Sequence, residues 1–187
     1  MRLLTECRIS YHRLVLSNHF KEIYRMRLTV IYYSKTGHTK DMAEHIVKGM
    51  CSVEGCEARA FATDCIDRDF VADSSAVVVG APVYAGTACT AIQSWLESEA
   101  GSLGLAGKLG GAFTTAAYVH GGGDLGLLTI LQHMMFLGMM TYSGGASCGS
   151  PVIHLGPEAI NADHDSYGEL FEVFGKRFAE QTVKVFG

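Results

Sequence analysis

Three hydroxyl side chains surround a glycine in the segment 34–39, which has the sequence Ser-Lys-Thr-Gly-His-Thr. Hydroxyl donors and a backbone that can approach closely suit a phosphate monoester, and they need little help from cationic side chains. The segment follows the apolar run 28–33, and helical spacing of apolar residues resumes at 41–50. A strand, a turn and a helix in this order direct the unpaired N–H groups of the helix towards the turn. We therefore predict that a phosphate group binds to Ser34, Lys35, Thr36, Gly37, His38 and Thr39.

The same turn has a simpler interpretation, because Ser and Thr are favoured as caps at the start of a helix. It is not a Walker A loop, since it lacks both the upstream glycine and the lysine of that motif. Three hydroxyls around Gly37, directly after a buried strand, favour phosphate binding over capping alone.

Two further apolar runs, 76–80 and 110–115, each lead into a loop with its own chemistry. The first loop begins with a proline and carries one tyrosine, and the second is rich in glycine and carries one histidine. Because the carboxyl ends of parallel strands meet at one edge of a sheet, the three loops predict a pocket for a phosphorylated planar cofactor, and FMN fits. The predicted contacts of the ring are Pro82, Val83, Tyr84, Ala85, Gly86, Thr114, Thr115, Ala116, His120, Gly121 and Gly122.

Two of these residues also have simpler interpretations. Tyr84 can be a surface tyrosine, and His120 can be a loop histidine without a role. Cys89, which follows the Tyr84 loop, has the character of a small buried apolar residue more than that of a redox thiol. No catalytic residue is assigned from the sequence.

The order of these motifs resembles that of a known family. The segment 34–39 resembles the flavodoxin phosphate loop [ST]-x-T-G-x-T, and the segments 80–86, 120–122 and 138–139 are similar to those of WrbA-type NAD(P)H:quinone oxidoreductases, in the same superfamily as the NADPH-dependent FMN reductases. The resemblance spans roughly 27–184 and implies a flavodoxin-like three-layer α/β sandwich. In that fold a five-stranded parallel sheet, ordered 2-1-3-4-5, has helices on both faces.

The resemblance also implies an activity. It suggests an oxidoreductase with FMN as its cofactor, NAD(P)H as its electron donor and a quinone or a redox partner protein as its acceptor; a homo-oligomer is compatible with it. The alternatives are a flavodoxin-type electron carrier without substrate turnover and an FMN-binding sensor. One departure bears on the choice: the family commonly has His-Gly-Met where this chain has Leu137-Gly138-Met139, so the histidine expected near the flavin edge is absent.

Apolar periodicity places the remaining elements. Helices are predicted over 41–50, 89–97, 125–136 and 166–186, a further strand over 139–142 and a long loop region over 143–165. The first 25 residues fall outside this pattern and are a poor signal peptide, because they lack a continuous apolar core. We therefore expect an N-terminal extension over 1–25, dispensable or added by a misassigned start codon, and an FMN-binding domain over 26–187.

Composition supports one α/β domain of 187 residues, 48% of them hydrophobic and 18% charged. A net charge of −4 argues against nucleic acid as a partner, and no stretch approaches the apolar length of a membrane span. The six cysteines form no C-x-x-C pair, which indicates a reduced, cytoplasmic protein. No spacing of histidines or cysteines suggests a metal site.

Overall fold

The structure is a computed structural model, and it describes residues 25–161 and 166–187. The predicted N-terminal extension up to residue 24 therefore lies outside the described residues. The first described strand begins at Met26, where the predicted domain begins.

A parallel sheet forms the centre of the molecule. Its order is β2-β1-β3-β5-β6, which matches the predicted order once the short hairpin strand β4 is set aside. Every residue of β5, and all but the last two of β3, is buried, as expected for strands covered on both faces. The strands are β1 (Met26–Tyr32), β2 (Cys56–Ala62), β3 (Ala76–Tyr84), β4 (Thr87–Ala88), β5 (Leu109–Ala116), β6 (Met140–Thr141) and β7 (Glu158–Ile160).

Two short strands share the fifth position of the sheet. β6 pairs with Leu109 and Gly110 at the start of β5, and β7 pairs with the last three residues of β5. The chain leaves the sheet after β6, passes through the segment 142–157 and returns to the same edge of β5. The sheet therefore has five strand positions, as predicted. Because β6 and β7 share the fifth position, six parallel strands of the described residues make up these five positions.

Helices cover both faces of the sheet and make three layers. They are α1 (His38–Cys51), α2 (Arg68–Asp73), α3 (Thr90–Ser98), α4 (Gly123–Phe136) and α5 (Gly168–Phe186). One apolar cluster joins the sheet to α1 and α5, and a second joins it to α2, α3 and α4. The three-layer α/β sandwich with a parallel sheet, expected from the sequence, is confirmed.

Close packing of α1 on α5 depends on two glycines. A Cβ at Gly49 would lie 2.0 Å from the backbone oxygen of Glu172, and a Cβ at Gly175 would lie 2.2 Å from that of Ile46. The two helices therefore approach backbone to backbone, which fixes α1 and the loop that precedes it against the sheet.

Candidate functional site

The first candidate loop joins β1 to α1. Gly37 has a φ of 101°, and an added Cβ there would have no heavy atom within 4 Å. Its N–H donates to Ser34 Oγ at 3.1 Å, which closes the turn. α1 begins at His38, three residues earlier than predicted, because the positive φ of Gly37 ends the turn there. The N-cap residue of α1 is Gly37, which has no side chain with which to cap the helix.

The six predicted phosphate-loop residues differ in exposure. Lys35 and Thr36 are exposed, and Ser34, Gly37 and His38 are partly buried. Thr39 is only 2% exposed, and its Oγ1 lies 2.8 Å from Oγ1 of Thr115 at the end of β5. The Thr39 hydroxyl therefore joins the first loop to β5, a contact that the sequence did not predict. Ser34 and Thr36 are left as the accessible hydroxyls of the turn.

The second candidate loop is a two-residue hairpin between β3 and β4. Tyr84 pairs with Thr87, and the two residues between them, Ala85 and Gly86, have φ values of 52° and 86°. Positive φ at both central positions is the type I′ turn that matches the twist of a hairpin. Ala85 is the one non-glycine residue with positive φ within the described ranges, a conformation that costs about 1–2 kcal/mol for an L residue. The chain is thus held in a strained, well-defined turn beside the exposed Tyr84.

Two predicted ring contacts lie below this hairpin. Pro82 is buried within β3, where its carbonyl accepts a bond from the Cys89 N–H at 3.0 Å. Val83 is partly buried, and its Cγ2 would be 3.4 Å from a Cβ on Gly126 of α4. Both residues support the hairpin from the protein interior. Burial also raises the pKa of the Cys89 thiol, which keeps it protonated and fits a packing role.

The third candidate loop follows β5. Thr114, Thr115 and Ala116 are the last residues of that strand and are buried, while residues 117–120, including His120, are exposed. Gly121 and Gly122 are partly buried and lead into α4. Thr114 Oγ1 is a buried hydroxyl oxygen without a hydrogen-bond partner among the residues that the structure describes.

The second and third loops touch through their glycines. Gly122 has a φ of 102°, and a Cβ at this position would stand 2.1 Å from the backbone oxygen of Gly86. Only glycine allows this approach. Together with the Thr39–Thr115 bond, the contact brings all three predicted loops to one edge of the sheet.

The surface beside these loops is apolar. The side chains of Tyr84, Tyr118, Val119 and Leu125 are 45%, 76%, 71% and 58% exposed. Burial is the largest cause that raises the pKa of Tyr84, so its phenol remains neutral at physiological pH. These four side chains are uncharged, although the exposed Asp124 adjoins Leu125, and such side chains suit contact with a planar apolar molecule.

The residue at which the sequence departs from the oxidoreductase motif lies elsewhere. Leu137 follows the last residue of α4, and a helix of this length separates it by roughly 20 Å from Gly122 at the other end. Its side chain packs against the apolar cluster beneath α3 and α4. Leu137 is therefore remote from the three candidate loops of its own chain, and its relation to a bound flavin stays a prediction.

Other features of the molecule lie outside this site. A cavity of about 410 Å³ is bordered by Tyr142, Cys148 and Arg177, between α5 and the segment after β6. Within the described ranges, no cluster of three or more His, Cys, Asp or Glu side chains could hold a metal ion. Residues 25–161 and 166–187 contain no helix long and apolar enough to cross a bilayer.

Comparison with known proteins decides the family. The family model for flavodoxin matches residues 30–123, which hold the first two candidate loops and all of the third. A flavodoxin from Clostridium saccharobutylicum is 36% identical over 86% of this chain and its own whole length. The chain belongs to the flavodoxin family.

More distant relatives of this flavodoxin-family chain include enzymes. An NAD(P)H dehydrogenase (quinone) from Geobacter metallireducens is 26% identical over 87% of this chain and all of its own. A WrbA-like flavodoxin structure from Agrobacterium tumefaciens superposes with a TM-score of 0.72 at 21% identity, covering 85% of this chain and 98% of its own. The family and the WrbA-like resemblance predicted from the motifs are thus confirmed. The relatives include both a flavodoxin and an NAD(P)H dehydrogenase (quinone), so they do not distinguish an electron carrier from an enzyme.

Proposed function

We propose that this chain binds FMN between its three loops and passes electrons from NAD(P)H to a quinone or a similar small acceptor. The uncharged side chains beside the loops carry this proposal. An electron carrier finds its protein partners through a charged field, whereas Tyr84, Tyr118 and Val119 offer exposed uncharged side chains to a planar acceptor. The mild net charge of −4 agrees with this choice.

The residues of the first loop fit a phosphate. The exposed Thr36 and the partly buried Ser34 offer hydroxyls, and Lys35 adds a positive charge at the surface. The start of α1 behind them contributes N–H groups and the positive end of the helix dipole. A terminal phosphate such as that of FMN would be held there, and the open space at Gly37 leaves room for it.

The second and third loops fit a flat ring. The strained hairpin would place Tyr84 beside one part of the ring, and the N–H of Gly122 would be offered to its polar edge, since the Gly121 N–H already donates to the Tyr118 carbonyl at 2.9 Å. When bound, FMN supplies the redox chemistry: a hydride from NAD(P)H brings two electrons, and the quinone leaves as a quinol after taking two electrons and two protons. The protein binds, orients and shields the ring from one side.

A flavodoxin-type electron carrier is the second candidate. The alignment with the Clostridium flavodoxin spans 161 positions for 86% of this chain, whereas that with the Geobacter dehydrogenase spans 205 positions for 87%. The enzyme alignment therefore needs insertions that the carrier alignment does not. This observation favours the carrier.

Turnover separates the two candidates. The FMN-loaded chain is mixed with NADH or NADPH and a soluble benzoquinone, and nucleotide oxidation is followed by absorbance, with heat-treated protein and free FMN as controls. The proposal requires turnover above free FMN with at least one nucleotide. No turnover with either, together with two well-separated one-electron steps in a reductive titration, would leave the carrier as the function.

A second copy of this chain fits the outer face of α4. Leu125, Leu128, Met135 and Phe136 form one exposed apolar stripe, with Phe136 88% exposed, and Asp124 is the only acidic residue of the helix, which has no Lys or Arg. An uncharged helix face of this size resembles the core of a homodimer interface more than the polar surface of a transient redox complex. We include a homo-oligomer built on this stripe in the proposal.

A further inference from the structure

A partly buried carboxylate lies under the third loop. Glu158 is the first residue of β7 and pairs in register with Thr114 of β5. A Cβ added to Gly123 would stand 1.7 Å from Glu158 Oε1 and 2.2 Å from Oε2. Gly123 begins α4 directly after Gly121 and Gly122. The carboxylate therefore packs against the backbone that closes the third loop.

This carboxylate has few hydrogen-bond partners to offset the cost of its burial. Its Oε1 is buried and has no hydrogen-bond partner in the described part of the chain, and the same holds for Oγ1 of the neighbouring Thr114. Burial raises the pKa of Glu158, and the charge of Asp124 raises it further. An unpaired buried carboxylate destabilises a fold, and a neutral side chain of the same size would not have this cost.

The groups that surround Glu158 leave it as the main buried charge of this region. β5 beside it has no titratable side chain, and α4 carries only Asp124, which is exposed, and His133 in its last turn. The loop 117–120 adds Tyr118 and His120, both exposed. Partial burial lowers the effective dielectric, so a charge at Glu158 acts over a longer distance than one at the surface.

We propose that Glu158 is a positioning residue of the third loop whose negative charge sets the potential at which bound FMN accepts electrons. The inference rests on the FMN site proposed above. Reduction increases the negative charge at the polar edge of the ring, which in the proposed site would face the N–H of Gly122. An ionised carboxylate behind that backbone opposes the added charge, and a protonated one does not.

The potential of bound FMN tests this inference. Wild type, Glu158→Gln and Glu169→Gln are loaded with FMN, and each two-electron midpoint potential is measured against a redox dye from about pH 4 to 9, a range that begins below the ordinary glutamate pKa of about 4.3. Glu169 is a matched control, because it is exposed in the first turn of α5 on the opposite face of the sheet. FMN affinity is recorded for all three proteins.

We expect the potential of Glu158→Gln to equal that of wild type at low pH and to rise above it as wild-type Glu158 ionises. At high pH the ratio of affinities for reduced and oxidised FMN should change on the order of tenfold, which is about 30 mV for two electrons. Glu169→Gln should follow wild type throughout. Parallel curves for wild type and Glu158→Gln, with FMN bound by both, would overturn the inference.

A second variant covers the case in which Glu158→Gln does not fold. Burial is the larger cause of the raised pKa of Glu158 and the charge of Asp124 the smaller; Asp124→Asn removes the smaller one, so the inflection of the potential should move to lower pH than in wild type. An unmoved inflection, or none, would also overturn the inference. Failure of the wild-type chain to hold FMN would contradict the proposed function itself, a result distinct from all of these.

Discussion

At the scale of single residues, the contact between Gly86 and Gly122 decides whether the second and third loops can meet. A Cβ on Gly122 would lie 2.1 Å from the Gly86 oxygen. Gly122→Ala should therefore force the loops apart and lower FMN affinity about tenfold or more, in addition to the cost of about 1–2 kcal/mol for a left-handed alanine. Calorimetric titration with FMN and urea unfolding measure the two effects.

Gly55→Ala is the matched control for this substitution. Gly55 also has a positive φ, 82°, but an added Cβ there would have no heavy atom within 4 Å. The Gly55→Ala variant should be less stable by the cost of an alanine in the left-handed conformation, but its FMN affinity should equal that of wild type. Equal FMN affinities for the two variants would show that the Gly86 contact has no part in the site.

The residue scale also shows what the sequence can and cannot predict about a site. The turn 34–39 was recognisable because hydroxyls and a glycine followed an apolar run. The bond between Thr39 and Thr115 was not, since it joins positions 76 residues apart and depends on the register of the sheet. Glu158 was missed for the same reason, because only strand pairing places it beside Thr114.

At the scale of elements, one lysine holds the end of a short helix. Lys108 Nζ donates to the carbonyls of Val71 at 3.2 Å and Ala72 at 2.7 Å, and also to that of Ser74, which together close α2. Lys108→Met should remove about 2 kcal/mol of stability, since charged hydrogen bonds to helix-terminal carbonyls are lost. Urea unfolding measures the change.

The control for Lys108 is a lysine that makes only a surface ion pair. Lys40 lies 3.7 Å from Glu44 on the exposed side of α1. Lys40→Met should cost about 0.5 kcal/mol or less, as exposed pairs usually do. A loss at Lys108 no larger than that at Lys40 would contradict its role in closing α2.

The pairing of α1 with α5 should respond to acid. Lys48 Nζ at 2.7 Å and His45 Nδ1 at 2.8 Å bind Glu172 Oε1, and these bonds lower the pKa of Glu172. A carboxyl with a lowered pKa stabilises the fold above the ordinary glutamate pKa, about 4.3, and loses that contribution as the pH falls through the lowered value. The free energy of unfolding of Glu172→Gln should therefore fall less steeply with acid than that of wild type.

Glu180→Gln is the control on the same helix. Glu180 Oε1 lies 3.9 Å from Lys176 Nζ in an exposed i,i+4 ion pair. Its pH profile should follow that of wild type. If the free energy of unfolding fell equally with acid in Glu172→Gln and in wild type, the ion cluster between α1 and α5 would not contribute to acid stability.

At the scale of the whole molecule, the sequence predicted the layers and the main strands but missed the edges. Long apolar runs at 76–80 and 110–115 identified β3 and β5, because buried parallel strands are apolar throughout. The three residues of β7 are too few to show a period, so they were assigned to the loop 143–165. The hairpin after Tyr84 was not predicted, since Ala85 is not a residue that favours positive φ.

Self-association through α4 is a prediction about the whole molecule. Phe136→Glu should convert an oligomer into a monomer, because it places a charge at the most exposed side chain of the apolar stripe. Val185→Glu is the control, as it changes an exposed apolar residue on α5 instead. Light scattering after gel filtration gives the mass of each species, and a monomeric wild type would contradict the oligomer.

FMN binding through the phosphate loop is tested most directly by comparing two ligands that differ only in the phosphate. Apoprotein is titrated with FMN and with riboflavin, and the quenching of flavin fluorescence gives both dissociation constants. Hydrogen bonds from Ser34, Thr36 and the start of α1 to a charged phosphate should make FMN bind at least about a hundredfold more tightly, or about 3 kcal/mol. Equal affinities for the two flavins, or binding of neither, would contradict the assignment of this site.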